Sequence, residues 1–87
     1  MTETIEETTC GQLGDVRTGM ASMGKGSYEL PDGSVVEGMT GILAPDEHEN
    51  VVIGMGSVVT VSGVPWEVIE VEKERGIPGS ITLKSMV

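Results

Sequence analysis

The residues of this chain that could do chemistry are few and scattered. His48 is the single histidine and stands between two acids in Glu47-His48-Glu49, so nitrogen and oxygen ligands for a metal ion lie side by side. Adjacent loop residues seldom converge on one ion, and no second histidine or cysteine lies near in sequence, so a solvated loop is expected. Cys10 is the single cysteine and sits among polar and acidic residues, a setting not expected to make a thiol reactive. Pairing it with His48 for nucleophilic catalysis would require two distant segments to meet. Gly24-Lys25-Gly26-Ser27 is glycine-rich with a lysine, yet it lacks the spacing of a phosphate-binding loop and no helix follows. Glu67, Glu70, Glu72 and Glu74 crowd one segment, and Glu70 and Glu72 share a strand face, where paired carboxylates can do acid–base work. Their setting fits solubility and protection of a strand edge better. From these residues no catalytic, cofactor or metal site assembles, and the chain is expected not to be an enzyme.

The elements that would position such residues are strands. At 87 residues the chain is one domain, and a small core must suffice or a partner must help. Phenylalanine is absent, and Trp66 and Tyr28 are the only aromatics. Valine and isoleucine supply most of the apolar material after residue 34, which suits a small antiparallel barrel or sandwich, because β-branched side chains lose rotamer freedom on a helix. Fourteen acids against five bases give a net charge of −9, which argues against binding the phosphate backbone of nucleic acid. An acidic surface keeps a small protein soluble and steers it to basic patches on a partner. Mimicry of nucleic acid is the sharper alternative, but the acids are scattered rather than in rows. A lone cysteine allows no internal disulfide, MTETIEETT has neither the basic nor the apolar region of a signal peptide, and no run reaches the roughly 18 apolar residues of a membrane span. Synthesis in the cytoplasm and no membrane partner are expected.

Residues 1–26 look unlike the rest. An acidic, threonine-rich tract passes into GQLGDVRTGMASMGKG, which is rich in glycine and keeps no period. Glycine carries the largest entropic cost on ordering. A flexible arm is expected there, with a short strand near residues 15–19, and Met20 and Met23 as adaptable apolar contacts for a neighbour. The barrel domain then spans residues 27–87. Its clearest local signal is Pro31-Asp32-Gly33 between two apolar segments, a hairpin joining residues 27–30 to a strand over 34–43. Gly38 and Gly41 interrupt that strand and suggest a bulge, a bend or close approach of another backbone. Residues 44–50, APDEHEN, form a polar loop, 51–53 return to strand, and Gly54-Met55-Gly56 breaks the chain again.

Residues 57–86 read as an antiparallel meander of three strands, over 57–62, 65–72 and 80–86, with a polar turn over 73–79. Val59 and Val61 share a face, as do Trp66 and Val68, but Ile69 and Val71 fall on the opposite one. The period slips after Val68, and a bulge there would turn all four side chains of that strand inward. Ile81, Leu83 and Val87 align on the last strand. Trp66 is expected to anchor the core with its ring N–H on a backbone carbonyl, the alternative being an exposed contact for a partner.

The carboxy-terminal half resembles the head–tail joining proteins of tailed bacteriophages, also called head-completion or stopper proteins. The resemblance rests on Gly56-Ser57-Val58-Val59-Thr60-Val61, then Pro65-Trp66-Glu67-Val68, an acidic-to-glycine turn, and Ile81-Thr82-Leu83. Upstream, residues 33–43 and the Pro45-Asp46-Glu47 loop look like that family's preceding strand and connecting loop, so the likeness covers roughly residues 30–86. It implies a compact β-barrel whose copies form a ring in the virion, beneath a portal or adaptor ring, closing the filled capsid and docking the tail. Packaged DNA would pass nearby without sequence-specific binding, and no cofactor is implied. The chain departs from the family in its short end after Leu83 and in lacking an amino-terminal helical segment. Met20 and Met23, with Asp46, Glu47, His48 and Glu49 of the loop, are the residues expected to meet partners. The competing expectations are another virion β-protein (tail tube or capsid decoration), an acidic inhibitor that mimics DNA, and a generic β-barrel interaction module.

Overall fold

The computed structural model describes residues 1–73 and 78–86. Eight strands follow one another: β1 (Thr2–Glu6), β2 (Cys10–Leu13), β3 (Val16–Glu29), β4 (Val35–Pro45), β5 (Val51–Gly54), β6 (Val58–Val61), β7 (Val64–Glu72) and β8 (Ser80–Ser85). One sheet has the order β1-β8-β7-β6 and the other β2-β3-β4-β5, with every pairing antiparallel. The order around the molecule is therefore the order in sequence, closed where β1 meets β8. The fold is all-β, a small antiparallel barrel flattened into two sheets, and all eight strands feed one core: Ile5, Leu13, Met20, Leu43, Ile53, Val61, Trp66, Val68, Ile81 and Leu83.

Residues 1–26 are not an arm. They form β1, β2 and the first part of β3, and Ile5, Leu13 and Met20 are 1%, 1% and 2% exposed. Each short strand delivers one large side chain to the core, so no period has room to develop, and β3 is bulged between Met20 and Met23. Burying each such side chain is worth about 1.5–3 kcal/mol, which offsets the entropy of ordering so many glycines. The domain that sequence places at residues 27–87 thus extends over the described chain.

The two corners where the chain passes between sheets are sealed by hydrogen bonds. At the first, Thr8, with φ of 63°, turns the chain; its N–H donates to the Met20 carbonyl at 2.8 Å, and the Met20 N–H donates to the Thr9 carbonyl at 2.9 Å. At the second, the Gly56 N–H donates to the Val68 carbonyl at 3.0 Å and the Val68 N–H to the Ser57 carbonyl at 2.9 Å. Side chains take up further strand-edge donors: Glu3 Oε1 accepts from the Gln12 N–H at 3.1 Å and Ser57 Oγ from the Gly54 N–H at 2.9 Å. Edges covered in this way cannot template pairing with another chain.

The hairpin around Pro31-Asp32-Gly33 forms as expected. Gly33 has φ of 89°, the Leu30 N–H donates to the Ser34 carbonyl, and Asp32 Oδ1 accepts from both the N–H and the hydroxyl of Ser34. Those bonds, the hydroxyl's foremost, hold the Asp32 carboxyl below its ordinary pKa. Its strands are the longest in the molecule, and the irregularity expected from Gly38 and Gly41 lies instead on the facing strand, between Met20 and Met23. Gly41 and Gly54 are among the glycines that must stay bare. A Cβ on Gly41 would lie 2.7 Å from Met20 Sδ and 2.8 Å from Ile81 Cδ1, and one on Gly54 would enter the Tyr28 ring.

In the meander the register shifts between Val68 and Glu70, where the sequence period slips. Trp66 and Val68 are buried and Val71 packs against the core, but Ile69 is the bulged residue and is 41% exposed, so three of the four expected side chains turn inward. A bulge leaves one residue unpaired, and here that residue points to solvent. Trp66 is 1% exposed, a core anchor rather than a surface contact. Its ring N–H has no hydrogen-bond partner among the described residues, in place of the expected carbonyl. Leaving it so costs about 1–3 kcal/mol, which the large apolar area of the ring outweighs. Ile81 and Leu83 are fully buried, whereas Val87 lies outside the described residues.

Candidate functional site

Strand directions alternate around the barrel, so the connections sort to two ends. The β2–β3 turn, the β4–β5 loop and the β6–β7 turn share one end with residues 1 and 86, where the Ser85 N–H donates to the Met1 carbonyl and the Met86 N–H to the Pro65 carbonyl, each at 2.9 Å. The β1–β2 corner, the β3–β4 hairpin and the β5–β6 turn share the other.

At the first end the loop residues Asp46, Glu47, His48 and Glu49 are all exposed. The Asp46 N–H donates to the Arg17 carbonyl at 2.9 Å, and the His48 N–H donates to the Pro45 carbonyl at 3.1 Å across a turn that holds Glu47 at φ of 62°. The His48 Nδ1–H donates to the Asp46 carbonyl at 2.7 Å, which ties the ring to its own loop. Asp46, Glu47 and His48 border an open groove of about 420 Å³ with Gln12, Asp15, Val16, Arg17 and Ser62. Ser62 and Gly63 both have positive φ, the two-residue turn that matches the twist of a hairpin, and this brings the β6–β7 turn level with the loop. The arrangement is a polar, mostly acidic rim able to hold a partner by charge; among the described residues no group of three or more His, Cys, Asp or Glu side chains is placed to hold a metal ion.

The structure separates the other expected contact residues from this rim. Met20 is core, paired with Leu43, and is closed to any partner, which corrects its assignment as a contact. Met23 packs against the core at the opposite side of the bulge, half-buried. Cys10 is exposed at the start of β2, in a shallow depression with Gly19, Ala21 and Ala44, whereas His48 borders a different groove. Residues 24–27 run in extended strand within β3 rather than in a phosphate-binding loop.

The strongest polar node is one that sequence reasoning passes over. Glu7 stands at the β1–β2 corner, where its Oε1 pairs with Lys73 Nζ and accepts from the Gly79 N–H at 3.2 Å, and its Oε2 accepts from the Met23 N–H at 3.0 Å. Its own N–H donates to the Gly79 carbonyl at 2.8 Å. The Lys73 hydrogen bond first, then those from Gly79 and Met23, lower its pKa to about 2. One carboxylate thus joins the corner, the β3 bulge and the approaches to β7 and β8. Nothing in a glutamate among other acids signals that role, because all its partners are distant in sequence or are backbone groups.

Outside the barrel, Glu67, Glu70 and Glu72 of β7 lie beside Lys84, Thr82 and Ser80 of β8, which in turn face Thr2, Thr4 and Glu6 of β1. The hydroxyls of Thr4 and Thr82 meet at 2.9 Å, and the neighbouring Glu70 carboxylate raises the pKa of Glu72. Glu74 lies outside the described residues. No protein-family model, curated protein or solved structure compared with the chain matches it.

Proposed function

We propose that this chain is a structural subunit rather than an enzyme: a head–tail connector of the stopper or neck type, assembled as a ring between the portal or adaptor and the tail of a phage virion. The observation that carries the reading is the β3–β4 ribbon. Its strands of 14 and 11 residues outrun a barrel whose other strands have four to nine, and Gly24, Lys25, Ser27, Glu29, Val35 and Glu37 on it are exposed. A long two-stranded ribbon with one exposed face, on a small barrel, suits a part that works by touching neighbours. The acidic rim over Asp46–Glu49 offers a second contact at the opposite end. The partners in this reading are portal or adaptor and tail proteins, the location is the virion, and no cofactor is needed.

The test is reconstitution. Purified chain added to portal-bearing, DNA-filled, tailless capsids is expected to bind them and restore tail attachment. A folded chain that never binds such capsids overturns the reading. The alternative of an acidic inhibitor that mimics nucleic acid has one observation in its favour, the gathering of Glu6, Glu67, Glu70 and Glu72 on one outer face. Block of a DNA-binding enzyme at equal stoichiometry, with no capsid binding, would select it.

A further inference from the structure

Among the described residues, one face of the ribbon has no strand packed over it. Along β3 and β4, Met20 pairs with Leu43 and Met23 with Gly41, on the side that packs against Ile81 of the other sheet. The same side continues through the pairs Lys25–Met39, Ser27–Glu37 and Glu29–Val35. Alternation along a strand keeps these on the core side of the sheet. Yet Lys25, Ser27, Glu29, Val35 and Glu37 are exposed and Met39 only half-buried. Between the two strands lies a groove of about 560 Å³, with Gly26 opposite Gly38 in its floor.

We propose that a second copy of this chain covers this face about a two-fold axis. The chemistry of the face is self-complementary, which is what a two-fold contact requires. Lys25 and Glu37 lie on one diagonal of the groove, and Met39 and Ser27 on the other. An axis in the plane of the face along the Met39–Ser27 diagonal sets each Lys25 over Glu37 of the other copy and packs Met39 against itself. The two ribbons then cross at a steep angle, the orthogonal packing open to twisted sheets. Among the described residues Lys25 has no ion-pair partner within its own chain, whereas Lys73 is taken by Glu7. The net charge of −9 on each copy opposes the pairing, so it is weak and closed at two copies. It concerns the free chain and does not depend on the connector reading.

Sedimentation equilibrium of the full chain, from about 10 µM to about 1 mM, tests it. The expected result is a monomer–dimer equilibrium that Lys25→Glu and Glu37→Lys each weaken by at least ~10-fold. An equimolar mixture of the two variants should regain the wild-type level, because every cross-contact between them again joins opposite charges. Both positions are exposed, and a thermal melt confirms that each variant is folded. A wild-type chain that stays monomeric overturns the proposal, as do variants that pair like wild type, a mixture that does not recover, or assembly beyond the dimer.

Discussion

Residues 1–26 and residues 57–86 differ in almost everything a sequence displays, and they hold up the same barrel. The later stretch supplies β6, β7 and β8, joined by local connections and rich in valine and isoleucine, with five side chains in the core. The earlier one supplies β1, β2 and the start of β3, with many glycines and three core side chains, Ile5, Leu13 and Met20. Yet β1 closes the first sheet against β8, and β2 supplies the edge of the second. A strand's structural weight therefore depends on what it closes more than on how apolar it is.

The harshest way to break that comparison is to remove the earlier stretch. A chain lacking residues 1–26 loses three core side chains and one of the two partners of β8, against a total stability of about 5–15 kcal/mol for a domain. It should show no cooperative thermal transition by near-ultraviolet circular dichroism; a melt close to that of the full chain would make the stretch an accessory after all. A finer cut compares Ile5→Ala with Ile81→Ala. Both side chains are 1% exposed or less, and each truncation should cost about 2–5 kcal/mol in denaturant unfolding. A small cost for Ile5→Ala beside a full one for Ile81→Ala would show that the two regions are not equivalent.

The smallest effect concerns Glu7. Its folded pKa of about 2 lies below the ordinary 4.5, so its bonds stabilise the fold fully above about pH 4.5 and are lost as pH falls through about 2. The melting temperature of Glu7→Gln should fall below that of wild type near neutral pH, and the gap should close toward about pH 2. A gap that is constant with pH would mean that the carboxylate's charge does not hold the corner.

What the sequence displayed was local. The Pro31-Asp32-Gly33 turn, the strand character of the meander and the slip after Val68 all depend on neighbours within a few residues, and each appears in the structure. The sequence could not show that Ile69 leaves the core, because a slip in period marks a bulge without saying which residue it ejects. Residues 1–26 misled because, apart from the local β2–β3 hairpin, their partners are remote: Ile5 pairs with Ile81, and Glu7 reaches Lys73 and Gly79. At the candidate site the exposed loop over Asp46–Glu49 was legible from its polarity. The exposure of the ribbon was not, since its residues alternate like any half-buried strand and only the lack of a facing strand among the described residues sets them apart.

The pairing of β1 with β8, which matches Thr2 to Lys84 and Ile5 to Ile81, also sets an order of events. β1 can find its partner only once β8, more than seventy residues later, has been made. Until then Ile5 has no place to go, and β8 arrives to meet β7 on one side and a waiting strand on the other. Such long-range closure is slow compared with forming hairpins. Maturation of this small barrel is therefore tied to the synthesis of β8: a ribosome that stalls before residue 80 leaves an open sheet edge, which β8 would close.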